Sequence, residues 1–136
     1  MAKEQPLVKA ILSTCQRPHI RLFRNNTGAV FPVGVGGKTR CVRYGLAPGS
    51  SDIIGWKQYS ARRVFDDYMV SNYAIFVAIE CKSPTARKPR KPKSKSGKKT
   101  LAHWIAQEKF LKDVAEAGGI SGIVRTVEEA KRLLGI

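Results

Sequence analysis

Glu80 and Lys82 stand two residues apart at the end of an apolar run, YAIFVAIECK, over residues 73–82. Strand alternation places Ala74, Phe76, Ala78, Glu80 and Lys82 on one face. A carboxylate among apolar neighbours needs a partner or a cation. A hard divalent ion with oxygen ligands would satisfy Glu80. Lys82 beside it could orient a water or stabilise charge on a phosphate. Taken alone, such a pair is more often a salt bridge at a sheet edge. Asp52 changes the balance. It follows a Gly-Ser-Ser loop at the head of DIIGW, and a strand starting there could pair with the Glu80 strand. Two carboxylates would then share a cation that acidifies water and polarises a phosphodiester. As an isolated residue Asp52 also suits a turn or cap. Gln107 is the third clue. It lies in the apolar arc of its helix, three residues after Trp104 and four before Leu111, where a buried amide needs hydrogen bonds. Either an active-site group or a structural niche would supply them.

Two other patterns carry no chemistry. GVGGKT at residues 34–39 ends like a phosphate-binding loop, but Pro32 occupies the position of the first glycine and no amphipathic helix follows. Ser50 and Ser51 lack the glycine frame of a nucleophile elbow, and two histidines give a poor supply of bases.

The elements that must position these residues read as helix, strands, helix, strand, helix. Residues 4–15 carry Leu7, Val8, Ile11, Leu12 and Cys15 at helical spacing, with Pro6 in the first turn. Pro18 ends that helix. IRLFRNN alternates like a strand, residues 26–28 turn, and residues 29–44 predict a hairpin interrupted by glycines. YGLAPGSSD is a loop. Residues 57–72 are compatible with a continuing strand followed by a helical turn near 64–69. The 73–82 strand is apolar on both faces and is expected to be central. Residues 101–117 predict an amphipathic helix with Trp104, Ile105, Leu111, Val114 and Ala115 on its apolar arc, closed by Gly118 and Gly119. Residues 120–125 form a short strand. Thr126 and Glu129 make a capping box for a last helix. The class is α/β, a mixed sheet flanked by helices.

With 136 residues, the chain is the size of one domain, 1–136. Its formal net charge is +15, which attracts polyanions. Residues 83–99, SPTARKPRKPKSKSGKK, hold eight basic residues and no acidic one; without them 17 basic residues face 10 acidic ones, a net of +7. Prolines and like charges predict a flexible loop there, without compact structure of its own. Cys15, Cys41 and Cys81 form no CxxC pair, which argues against a disulfide framework or zinc ribbon. No membrane span or signal peptide fits, so a reducing cytoplasm is the expected location.

RLFRNNTG, YGLAPGSSDIIGW, FVAIECKSPT and QEKFLKDVAEAGGISGIVRTVEEA, in that order and over nearly the whole chain, resemble the stand-alone virus-type replication-repair nuclease domain (VRR-NUC) of phage and bacteria, within the PD-(D/E)xK nuclease superfamily. The resemblance implies a restriction-endonuclease-like core and Mg²⁺- or Mn²⁺-dependent DNA cleavage. Asp52 matches the family aspartate, although Ser51 replaces the proline before it. Glu80 and Lys82 match the (D/E)xK pair, with the Cys81 carbonyl implied as a further metal ligand, Gln107 matches the helix glutamine, and Glu4 matches the early glutamate. A glutamate at a helix start also suits the dipole. Arg24, Arg87, Lys88, Arg90, Lys91 and Lys93 are the expected DNA contacts. The basic run lengthens a link that is usually short in the family. The expected substrate is branched DNA, a Holliday junction or flap in replication, recombination or repair, cut by a homodimer in a bacterial cell or encoded by a phage. A non-catalytic DNA-binding module that keeps the fold is the alternative, and a basic RNA-binding protein of ribosomal type a further one.

Overall fold

The computed structural model describes residues 4–62 and 70–136. The first helix, α1, spans Gln5–Thr14, with its proline in the first turn and Val8 and Ile11 turned inward. Three further strands join β1 (Ile20–Arg24) in one sheet: β4 (Ile53–Arg62), β5 (Val70–Cys81) and β6 (Ile120–Val124). A separate two-stranded ribbon pairs β2 (Gly28–Val30) with β3 (Val42–Tyr44). Two helices complete the fold, α2 (Lys95–Glu116) and α3 (Val127–Leu134).

The sheet order is β1-β4-β5-β6. The first two pairings are antiparallel and β5–β6 is parallel. Parallel neighbours need a long crossover, and α2 supplies it. On one face Ile20, Leu22, Ile53, Val77, Ile79, Cys81 and Val124 close over Val8, Ile11 and Cys15 from the α1 side and Ala130 and Leu134 of α3. On the other face α2 lays Leu111 and Val114 on Ala78. The result is a mixed sheet between helices, as the alternation of elements predicted.

Several boundaries differ from expectation. The strand option for residues 57–62 holds, because β4 runs to Arg62 against Val70 of β5. The helical turn expected near 64–69 falls outside the described residues. β5 is central, yet Phe76 remains almost half exposed, because α2 covers only the Ala78 end of its face, and Tyr73, on the opposite face, is almost half exposed where it stacks on Tyr59. On α2 the buried positions are Gln107, Leu111 and Val114, a 4-then-3 spacing. Ile105 and Ala115 are exposed, since Ile105 sits about 150° and Ala115 about 70° off the centre of that stripe. The basic run is not a loop to residue 99. Ser94 caps α2 by accepting the Gly97 N–H at 3.0 Å, which draws Lys95, Lys98 and Lys99 into the first helical turns. Their charges oppose the helix dipole and stay in solvent. Thr126 caps α3 as expected, and the Glu129 carboxylate accepts the Arg125 N–H at 2.6 Å. GVGGKT forms the tip of the ribbon and leads into β3, consistent with its rejection as a phosphate loop.

Candidate active site

Strand register builds the site. Ile53 pairs with Ile79, so Asp52, one residue before β4, lies across from Glu80 near the end of β5. The Cys81 N–H donates to Asp52 Oδ2 at 2.9 Å. The Lys82 N–H donates to the Val124 carbonyl at 2.9 Å, which holds the end of β5 on β6. Alternation turns Glu80 and Lys82 toward α2, where Gln107 meets them. Lys82 Nζ lies 2.7 Å from Glu80 Oε1 and 2.8 Å from Gln107 Oε1. The Gln107 amide N–H also donates to Glu80 Oε1. The amide is thus oriented by a cation on one side and a carboxylate on the other.

These groups are deeply placed. Glu80 is 1% exposed, and Lys82 and Gln107 are buried. Glu80 Oε1 takes both hydrogen bonds, and Glu80 Oε2 is buried with no partner among the described residues. Burial, and next the Asp52 charge, push the Glu80 carboxyl from 4.5 up to about 7, against the pull of Lys82. Burial likewise raises Asp52, opposed by the Cys81 N–H and by Lys82. Glu4 is half-buried and makes no side-chain capping bond. Its charge is near enough to add to the rise of both carboxyls. The first helix therefore brings a third carboxylate toward the pair, rather than a cap.

The fit to a divalent cation rests on that donor set. Among the described residues no three His, Cys, Asp or Glu side chains gather as a ligand cluster. Two carboxylates and a backbone carbonyl are what a small hard ion uses when water and substrate oxygens complete its shell. The orphaned Glu80 oxygen is the acceptor such an ion would satisfy. Cys81 enters only through its backbone: its thiol faces the opposite side, in the core, where burial raises its pKa.

Other residues hold the site in shape. Asn25, after β1, donates its backbone N–H to the Asp52 carbonyl at 2.8 Å. Its side-chain amide donates to Ser50 Oγ and the Ser51 carbonyl, both at 2.8 Å, and its Oδ1 accepts the Leu46 N–H at 3.4 Å. Gly49, at φ +84°, lets this loop lie on α2; a Cβ there would come within 2.7 Å of Ala106 Cβ. Trp104 places its ring 4.8 Å from Lys82 Nζ and donates its indole N–H to Glu108 at 3.1 Å. In the sequence Asn25 reads as the end of a strand and Trp104 as part of an apolar arc, and nothing there marks Glu108. An Asn ahead of a Gly turn was the one available signal, since Asn binds nearby backbone.

The expected DNA contacts are spread more widely. Arg24 is exposed, hydrogen-bonds Gln5 and acts electrostatically on Asp52, so it lies beside the site. Lys88 pairs with Glu108 at 2.5 Å, which ties the basic segment to α2. Arg87 donates to the Pro84 and Ala86 carbonyls. Arg90, Lys91 and Lys93 are exposed. No helix among the described residues is long and apolar enough to cross a membrane.

Compared with known protein families, with characterised proteins and with solved structures, the chain matches none.

Proposed function

We propose that this protein is a divalent-metal-dependent DNA endonuclease with a restriction-endonuclease-like core, in line with the VRR-NUC resemblance. One observation carries the reading: Asp52, Glu80, Lys82 and Gln107, scattered over 56 residues of chain, converge at one end of the sheet and leave a buried carboxylate oxygen without a partner. Asp52, Glu80 and the Cys81 carbonyl would hold Mg²⁺ or Mn²⁺, with Glu4 close by. When bound, the cation supplies an acidified water and polarises the phosphate.

The protein groups have separate tasks. Lys82 has three N–H donors. Two are committed to Glu80 and Gln107, which leaves one for a phosphate oxygen or the attacking water. Gln107 fixes the direction of that ammonium, and the Trp104 ring backs it. Trp104 and the Gly49 loop flank the site on the α2 side. The +15 charge attracts the DNA backbone without base information. Symmetric incision of a branch needs two active sites, so the active form in this reading is a two-fold pair.

The test is cleavage of four-way junction, flap, single-stranded and linear duplex DNA, with and without Mg²⁺ or Mn²⁺. Metal-dependent cutting of branched substrates is expected, lost in Asp52→Asn while binding survives. Metal-independent binding with no cutting of any substrate would favour the non-catalytic DNA-binding alternative.

A further inference from the structure

The β2–β3 ribbon stands apart from the main sheet. One unbroken register runs from Gly28↔Tyr44 to the Val33↔Thr39 bridge, with the Arg40 N–H on the Pro32 carbonyl between them. That makes a projection about 20 Å long. Its apolar side chains are uncovered: Phe31 is 66% and Val33 is 73% exposed, and Val30, Val42 and Tyr44 are exposed too. A two-stranded ribbon is marginal in water on its own, and among the described residues Phe31 and Val33 at its outer part are the least covered of these apolar side chains.

Charge indicates which partner. Lys38, Arg40 and Arg43 lie on the ribbon, and no acidic residue occurs between Glu4 and Asp52. A second copy docked arm to arm would set Lys38, Arg40 and Arg43 against the same three cations, whereas a polyphosphate would attract them, so the pair proposed above would meet elsewhere. Dimensions agree, because a two-stranded ribbon fits the DNA major groove, about 12 Å wide. The root of the arm is fastened to the candidate site. Asn25 bonds Leu46 where the chain leaves the ribbon, Ser50 and Ser51 in the following loop, and the backbone of Asp52. Gly45, at φ +79°, permits the tight return; a Cβ there would lie 2.3 Å from the Asn26 carbonyl.

We infer that the β2–β3 ribbon is the element that reads DNA structure: Lys38, Arg40 and Arg43 contact phosphates while Phe31 and Val33 pack on the unstacked base faces exposed at a branch point. This rests on the nucleic-acid part of the proposed function and not on cleavage. A fully stacked duplex offers no free base face, so the aromatic contributes only where stacking is already broken.

The experiment measures binding of the full chain to four-way junction and linear duplex DNA in EDTA, with 2-aminopurine beside the branch. Phe31→Ala should cut junction affinity about tenfold, leave linear duplex affinity unchanged, and abolish the 2-aminopurine response. Replacing Lys38, Arg40 and Arg43 together by Ala should lower the slope of log affinity against log salt by about 2 to 3. Both sites are exposed, and unchanged melting temperatures will verify the fold. Wild-type junction preference in Phe31→Ala would overturn the inference. So would a Phe31→Ala protein whose light-scattering mass falls without DNA, because the arm would then cover a second copy. If the arm variants behave as expected and no DNA is ever cut, the nuclease reading fails and the ribbon assignment stands.

Discussion

Replacing Glu80 by Gln should make the metal-free protein more stable at alkaline pH, although Glu80 lies at the heart of the candidate site. The folded state raises its carboxyl from 4.5 to about 7, so the folded chain holds that proton more tightly than the unfolded chain. Stability is therefore greatest below 4.5 and falls as pH rises toward about 7, where the buried carboxylate ionises. The loss is about 3 kcal/mol. At 1% exposure solvent screens little of it. Glu80→Gln keeps the shape and cannot ionise. It should match the wild type near pH 4 and exceed it by about 3 kcal/mol near pH 8, roughly 10 °C in melting temperature. Urea denaturation in EDTA at both pH values measures the difference. Saturating Mg²⁺ should close it at the higher pH, because the cation binds only the ionised carboxylate. Wild-type stability that is flat across the interval, or a Glu80→Gln protein that is weaker at alkaline pH, would refute the account of the orphaned oxygen.

Lys82→Ala should lower turnover more than DNA affinity and move the rising limb of the pH–rate profile upward, since Lys82 holds the Glu80 carboxyl down; a loss confined to affinity would make Lys82 a phosphate anchor. Gln107→Ala should reduce the rate per folded molecule with little change in melting temperature, and thermal denaturation beside a cleavage assay separates this from a packing role. Replacing Arg87, Lys88, Arg90, Lys91 and Lys93 with Ser should flatten the slope of log affinity against log salt by about 4, equally for all DNA sequences; an unchanged slope would remove the segment from the interface. Light scattering at micromolar concentration should give the mass of a pair on junction DNA, and a monomer both free and bound would refute the two-fold arrangement.

Much of the site was legible because strand periodicity is strict. Alternation alone placed Glu80 and Lys82 on one face of β5, and the β4 start brought Asp52 opposite. Gln107 was legible for the same reason on a helix, as a polar residue on a buried stripe. What the sequence could not convey was long-range backbone bonding. Asn25 clamps Leu46, Ser50, Ser51 and Asp52 through partners up to 27 residues away, and no periodicity marks such a residue. The start of α2 was misplaced because net charge outweighed capping in the reading of residues 83–99. One Ser94 hydroxyl at the right spacing was enough to start a helix through lysines. The exposure of Phe76 and Tyr73 was hidden too, since an apolar strand does not reveal how far a helix extends across it.

The segment between β5 and α2 is at once the chain's densest run of basic residues and the only covalent link between the two halves of the site. Asp52 and Glu80 lie before it, Lys82 is its first residue, and Gln107 and β6 lie after it. Trypsin cuts after lysine and arginine, so it should sever the chain there and produce two pieces that the β5–β6 pairing, the Arg125–Ser83 bond and the α3–α1 packing hold together. A nicked protein that still melts as one unit would mean that non-covalent contacts alone hold the site together, across two fragments neither of which carries all of its residues.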